Sequence, residues 1–235
     1  IRPMIKGCIP LGLISKPSPG TGASKLFEMV SVISTGRPMK AQTAPTDEDE
    51  WRKKITSLLR AGSQIITFDN IDSDLGSGML ASALTSLVWE DRILGRSESI
   101  DYPQRACWYA NGNNLTIKGD LARRSYLVQL DAEMPHPWER KTTDFRHPNL
   151  DEWVKDHRGE LLAALLTMVR AWVVAGKPAR CDKIVGGFEE WTQIVGSILS
   201  YSGVTGFLDN ESLLHTELDA GVDEWTEFID AWYSK

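Results

Sequence analysis

Residues 16–24 read Lys16-Pro17-Ser18-Pro19-Gly20-Thr21-Gly22-Ala23-Ser24. An apolar run over residues 9–14 leads into them, and a helix-like run over 25–33 leads out. A strand, a glycine-rich turn and a helix in that order aim backbone N–H groups and the helix dipole at one point, which is how a chain of phosphates is held. The pattern departs from G-x-x-x-x-G-K-[ST] at two positions: Pro17 takes the place of the first glycine and Ala23 that of the lysine. A Gly-x-Gly turn between strand and helix also occurs in α/β proteins with no nucleotide, so the loop alone leaves both readings open.

A carboxylate stands about 45 residues after Ser24, at the end of Gln64-Ile65-Ile66-Thr67-Phe68-Asp69-Asn70. The β-branched apolar run predicts a strand buried on both faces, with Asp69 at the sheet edge where α/β proteins bind ligands. An acid in that place holds Mg²⁺, usually through water. The alternative is that Asp69 caps the next turn.

The elements that must position these groups alternate. Ser34-Thr35-Gly36-Arg37-Pro38 stops the first helix. A short strand is expected within 39–43. Asp47, Glu48, Asp49 and Glu50 open a capped helix with Trp51, Ile55, Leu58 and Leu59 on one face. Residues 76–89 read as a helix, 91–102 as a hairpin, 104–110 as a strand running out in Asn111-Gly112-Asn113-Asn114, and 126–130 as a strand. Strands alternating with helices predict an α/β fold with a mostly parallel sheet. After Met134-Pro135-His136-Pro137 the pattern turns helical, over 149–175, 188–201 and 209–232, so the chain divides into an α/β core at 1–133 and a C-terminal helical lid or bundle at 134–235. Acid-acid-Trp triplets at Trp51, Trp153, Trp191 and Trp225 read as four separate helix starts rather than a repeat.

Composition narrows the class. With 235 residues, 42% hydrophobic and 25% charged, the chain can bury a full core. It has no apolar run long enough to span a membrane and no signal-peptide pattern, so a soluble cytoplasmic protein with no membrane partner is expected. Cys8, Cys107 and Cys181 lack the spacing of a disulfide framework or a zinc site, and His147 and His157 lack metal-ligand spacing. A net charge of −6 argues against a surface generally coated with nucleic acid, while leaving room for local basic loops.

Taken in order, several motifs resemble one family. Arg2-Pro3-Met4-Ile5-Lys6-Gly7, Pro19-Gly20-Thr21-Gly22, Ser34-Thr35-Gly36-Arg37-Pro38, Phe68-Asp69-Asn70, Gly112-Asn113-Asn114-Leu115, Gly119-Asp120-Leu121-Ala122-Arg123-Arg124, Phe145-Arg146-His147-Pro148-Asn149-Leu150 and Arg170-Ala171-Trp172 are similar to the AAA+ ATPase domains that accompany primase-polymerase modules in bacterial, phage and plasmid replication proteins. These are relatives of the superfamily three helicases. The resemblance implies a P-loop NTPase core and a helical lid, with ATP and Mg²⁺ as cofactors. Pro19, Gly20, Thr21, Gly22, Ala23, Ser24 and Lys25 would form the nucleotide loop, with Ser24 and Asp69 on the metal. Asn70 would stand where many relatives carry a catalytic glutamate.

The same resemblance makes Asn113 the sensor beside the γ-phosphate, Arg123 and Arg124 the fingers that reach a neighbour's ATP, and Arg158 a second sensor. It makes Arg92 and Arg96 the basic residues of a pore hairpin on single-stranded or forked DNA. Read without it, Asn113 suits a turn with φ > 0, and the arginines suit solvated or ion-paired positions. The implied partners are its own copies in a ring, such as a hexamer, DNA, and a primase-polymerase domain in cis or in trans. The implied function is a helicase or translocase motor whose hydrolysis Ala23 impairs; a non-hydrolysing assembly or DNA-binding module is the alternative. Ala23 is consistent with an introduced change or a natural loss. Rescue by Lys25 is disfavoured, because two residues along a helix turn a side chain about 200° away.

Overall fold

The computed structural model describes residues 1–16, 18–72, 74–92, 99–113, 115–216 and 232–233. Among the described residues seven strands are formed, β1 (Leu11–Lys16), β2 (Ala41–Gln42), β3 (Ile65–Ile71), β4 (Val88–Arg92), β5 (Ser99–Pro103), β6 (Cys107–Asn113) and β7 (Ser125–Gln129). Five of them make an all-parallel sheet in the order β2-β3-β6-β1-β7, and β4 and β5 pair as a separate antiparallel hairpin. The helices are α1 (Ala23–Thr35), α2 (Glu48–Arg60), α3 (Gly78–Thr85), α4 (Leu150–Asp156), α5 (Arg158–Val174), α6 (Glu189–Tyr201) and α7 (Glu211–Thr216). The fold is α/β with a parallel central sheet, as the alternation predicts.

Both faces of the sheet are covered. Leu11 and Leu13 of β1, Phe68 of β3 and Trp108 of β6 pack with Trp51 and Ile55 of α2 and Leu80 and Leu84 of α3. On the opposite face Ile14, Tyr109 and Val128 meet Ala23 and Phe27 of α1. Gly12 lies beneath the rings of Tyr109 and Tyr126, where any Cβ would overlap both, so a glycine lets two tyrosines sit over β1. Burial, and then each other's proximity or that of Cys107, push both phenols up, so both stay neutral at physiological pH.

Local signals set several boundaries. Gly36 closes α1 in the left-handed conformation at φ 73°, with its N–H donating to the Val32 carbonyl. Asp47 caps α2 by accepting the Glu50 N–H at 2.9 Å. Ser77 caps α3 in the same way through Leu80, and α2 lends it a second cap: Glu48 accepts the N–H groups of Gly78 at 3.0 Å and Met79 at 2.8 Å. Glu48→Ala is therefore expected to lower stability by about 1 kcal/mol, measured by urea unfolding, with Glu48→Gln recovering part of it.

Elsewhere the structure differs from the sequence pattern. The helix expected over 76–89 ends at Thr85, because Ser86 is extended and Val88 and Trp89 pair with Pro103 and Tyr102 in the hairpin. Trp89 is buried there and donates its Nε1–H to Thr56 of α2 at 2.9 Å, while Arg52 holds Asp91. The strand expected over 104–110 is displaced to Cys107–Asn113, taking in Asn111, Gly112 and Asn113. The single helix expected over 149–175 is broken at His157, which stacks on Trp153 at 4.6 Å, with His147 on that ring's other neighbour contact at 3.9 Å. Of the helix expected over 209–232, α7 is described, and 217–231 lie outside the described residues.

Helices α4, α6 and α7 bury apolar residues against the core, whereas α5 buries chiefly Trp172. Val154 of α4 meets Met29 and Val32 of α1. Phe188 and Trp191 beside and within α6 meet Ile5 and Ile9, and Trp191 packs on Tyr126 at 5.1 Å. Leu214 of α7 joins the main core. Among the described residues no helix is long and apolar enough to cross a membrane.

Candidate functional site

In a parallel sheet every strand ends at the same edge, so Lys16, Asp69 and residues 111–113 emerge together beside the N-terminus of α1. The turn that leads into α1 has Gly20 at φ 78° and Gly22 at φ 104°, left-handed conformations that favour glycine. Gly22 is the N-cap of α1, which has neither a capping side chain nor an acid in its first turn. In α2, by contrast, Glu48, Asp49 and Glu50 fill that turn. The start of α1 is thus left with N–H donors and a positive dipole end that its own sequence does not neutralise. Thr21 adds a buried hydroxyl that has no hydrogen-bond partner among the described residues.

The next residue of the helix reaches across the sheet. Ser24 donates its hydroxyl to Asp69 Oδ1 at 2.8 Å. The same oxygen accepts Nδ2–H of Asn111 at 2.7 Å, and Asn111 Oδ1 accepts the Asn70 N–H at 3.1 Å. Asn111 is completely buried, so both ends of its amide are committed to holding the end of β3. The register between β3 and β6 slips between Phe68 and Ile71, and Asn70 sits at φ 57°, a conformation that asparagine tolerates better than most residues. Gly112 allows the slip, since a Cβ there would overlap the Ile71 carbonyl oxygen.

The structure brings Asn111, not the expected Asn113, onto Asp69. Asn111, two residues earlier on the same face of β6, is the side chain bonded to Asp69, whereas Asn113 is exposed at the strand end with no positive φ. The sequence contains three asparagines in this stretch, and only the register of β6 against β3 distinguishes them.

Two other expected site residues bond elsewhere in this structure. Arg158 donates Nε–H to the Val32 carbonyl at 2.9 Å beside Gly36, so it caps the C-terminal end of α1, the end remote from the loop. Lys25 forms a bidentate ion pair with Asp151 of α4 at 2.7 and 2.8 Å. A cation not expected from sequence touches the loop instead. Arg140 donates Nη2–H to the Gly20 carbonyl at 2.7 Å and Nε–H to the Pro137 carbonyl at 2.9 Å, and the Trp138 backbone lies beside Gly20, where a Cβ would meet it. No local pattern in the sequence marks it.

Arg123 and Arg124 precede β7, at the opposite edge of the sheet from the loop of their own chain. Arg124 is tied to Asp120, the Ala81 carbonyl and Thr85. Arg123 pairs with Asp120 but keeps 68% of its side chain exposed. Arg92 is exposed on β4, and Arg96 lies outside the described residues, as do Pro17 and Asn114.

A cleft of about 390 Å³ opens beside Ser24, between α1 and α4, bounded by Lys25, Glu28, Met39, Asp151 and Lys155. A larger cavity of about 730 Å³, lined by Arg2, Ile65, Arg105 and Cys107, lies at the strands' N-terminal edge and touches none of these groups. Among the described residues no cluster of three or more His, Cys, Asp or Glu side chains is poised to hold a metal. Any ion at Ser24 and Asp69 would need oxygens from water or ligand, which suits Mg²⁺. No family model matches the chain, and no curated protein matches it.

Proposed function

We propose that this chain binds a Mg²⁺–nucleoside triphosphate at the loop between β1 and α1, and that it is the motor domain of a replicative DNA helicase or translocase of the AAA+ kind, impaired in hydrolysis by Ala23. The observation that carries the nucleotide reading is the contact of Ser24 with Asp69 at 2.8 Å, beside an uncapped helix N-terminus. A hydroxyl and a carboxylate in contact, facing free N–H donors, form a pair of hard oxygen ligands next to an anion site. Mg²⁺ bound there would offset the phosphates' negative charge.

The chain's own groups then have separate tasks. The N–H groups at the start of α1 bind phosphate oxygens. Ser24 and Asp69 hold the ion. Asn111 keeps Asp69 aimed, and Arg140 and Trp138 hold the Gly20 turn. Arg123, exposed and on the far edge from its own loop, would reach a phosphoryl group only in a neighbouring copy of a ring. The β4–β5 hairpin with Arg92, pinned on α2 through Trp89 and Asp91, is the surface offered to DNA. The helicase and ring assignments, and a primase-polymerase partner, rest on the motif resemblance.

A second reading has observations of its own. Ala23 and Asn70 remove both the lysine and the usual glutamate, and α5 exposes Leu165, Leu166 and Val174, as an assembly surface would. On that reading the chain is a non-hydrolysing AAA+-like module.

Calorimetric titration with ATP tests the nucleotide site. The chain is expected to bind ATP only with Mg²⁺ present, and Ser24→Ala or the isosteric Asp69→Asn to weaken binding by about tenfold or more. Absence of Mg²⁺-dependent binding by the unaltered chain rejects the reading.

A further inference from the structure

We propose that Lys16 supplies to the bound triphosphate the positive charge that Ala23 cannot, an inference that rests on the reading of the β1–α1 loop as a nucleotide site. Lys16 is the last residue of β1, immediately before the loop, and only 7% of it is exposed. Among the described residues it makes no hydrogen bond and no ion pair. Four other lysines are ion-paired: Lys25 with Asp151, Lys53 with Glu50, Lys118 with Asp74 and Lys183 with Asp209. Those four are all more exposed than Lys16. Its stem is buried while its ammonium, which has no protein partner among the described residues, keeps a little solvent access at the sheet edge, where an anion can complete it.

Strand alternation says which side of the sheet it serves. Ile14 packs with Ala23 and Phe27 of α1, so Lys16, two residues further along β1, belongs to the same face. That face also carries Asn111, whose register partner is Ile14, and Asp69, bonded to Ser24 of α1. Lys16 itself lies opposite Asn113 at the strand ends. An unpaired cation on a buried stem, an uncapped helix N-terminus and the Ser24–Asp69 pair thus converge at one sheet edge. The loop over 18–24 contains no acid to neutralise the lysine. The counter-ion that fits is a polyphosphate bridging the N–H donors of α1 and the ammonium on its flexible four-carbon stem.

Arg140 does not fill this role. It is only partly buried, and two of its nitrogens are committed to the Gly20 and Pro137 carbonyls.

The test is MgATP calorimetry and thermal unfolding on the full chain and on Lys16→Met, Lys16→Arg, Ala23→Lys and the double variant Ala23→Lys/Lys16→Met. Lys16→Met is expected to weaken MgATP binding about 10- to 100-fold, the range for a charge-assisted hydrogen bond, and Lys16→Arg to retain most of it. Without nucleotide, Lys16→Met is expected to unfold at nearly the same temperature, because the ammonium has no protein partner to lose; a purely structural lysine would give a fall. In the Ala23→Lys background, Lys16→Met is expected to cost less than about threefold, since the restored lysine does its work. If Lys16→Met fails to fold, Lys16→Gln takes its place. Binding by the neutral variant within about twofold of the parent overturns the role of Lys16 and leaves the nucleotide site standing. No binding by the parent overturns both.

Discussion

Ala23→Lys is expected to raise ATP turnover about a hundredfold over the unaltered chain, corresponding to about 3 kcal/mol of transition-state stabilisation from one preorganised donor. Ala23 is the first residue of α1, directly before Ser24, whose hydroxyl already meets Asp69. The rest of the constellation is in place: Gly20 and Gly22 in left-handed conformations, an uncapped helix start, and Asn111 holding Asp69. The side chain at position 23 is 99% buried against Ile14 and Phe27, its exposure being 1%. A lysine there must run its stem out of this cluster and over the turn, and its ammonium then lies beside bound phosphates. Phosphate release in the presence of single-stranded DNA, at protein concentrations high enough for copies to associate, measures the gain. A gain in turnover means a motor silenced at one position. Turnover absent from both chains would favour the assembly reading, since neither a lysine nor crowding would then restore chemistry.

Phe68→Ala is expected to destabilise the fold by about 3–5 kcal/mol, the range for deleting a buried aromatic ring. Phe68 is fully buried, meets Trp51 of α2 edge-on at 4.7 Å and stacks with Trp108 of β6 at 6.3 Å. These rings are part of what clamps α2 to the sheet, and neighbours already packed around Ile55 and Leu80 cannot collapse into the space left. At about 2–4 °C per kcal/mol for a chain of this size, the midpoint should fall by roughly 10 °C in a thermal melt. Phe68→Leu should lose far less, because it keeps most of the volume. The effect should reach the site as well. Phe68 is the residue before Asp69, so loosening it frees the carboxylate that Ser24 and Asn111 hold.

The order of elements was legible wherever the signal is local. Asp47 with three acids behind it marks the start of α2, Gly36 marks the end of α1, and the β-branched run into Phe68 marks β3. Capping, left-handed turns and strand propensity act within a few residues, so the sequence by itself determined these elements, the α/β class and the placing of Ser24 and Asp69 at one edge of a parallel sheet. Trp89 was not legible as a strand residue, because its apolar neighbours continue the helical spacing of α3 and only pairing with Tyr102 and the bond to Thr56 hold it extended. Asn111 rather than Asn113, Arg158 at the far end of α1, Lys25 turned to Asp151, and Arg140 on the Gly20 carbonyl were decided by the tertiary structure alone. Each of these side chains meets a partner more than 40 positions away, and which of several equivalent polar residues makes the contact depends on strand register and helix docking. Those are set by burial of the whole core, a sum over many residues that no short motif encodes.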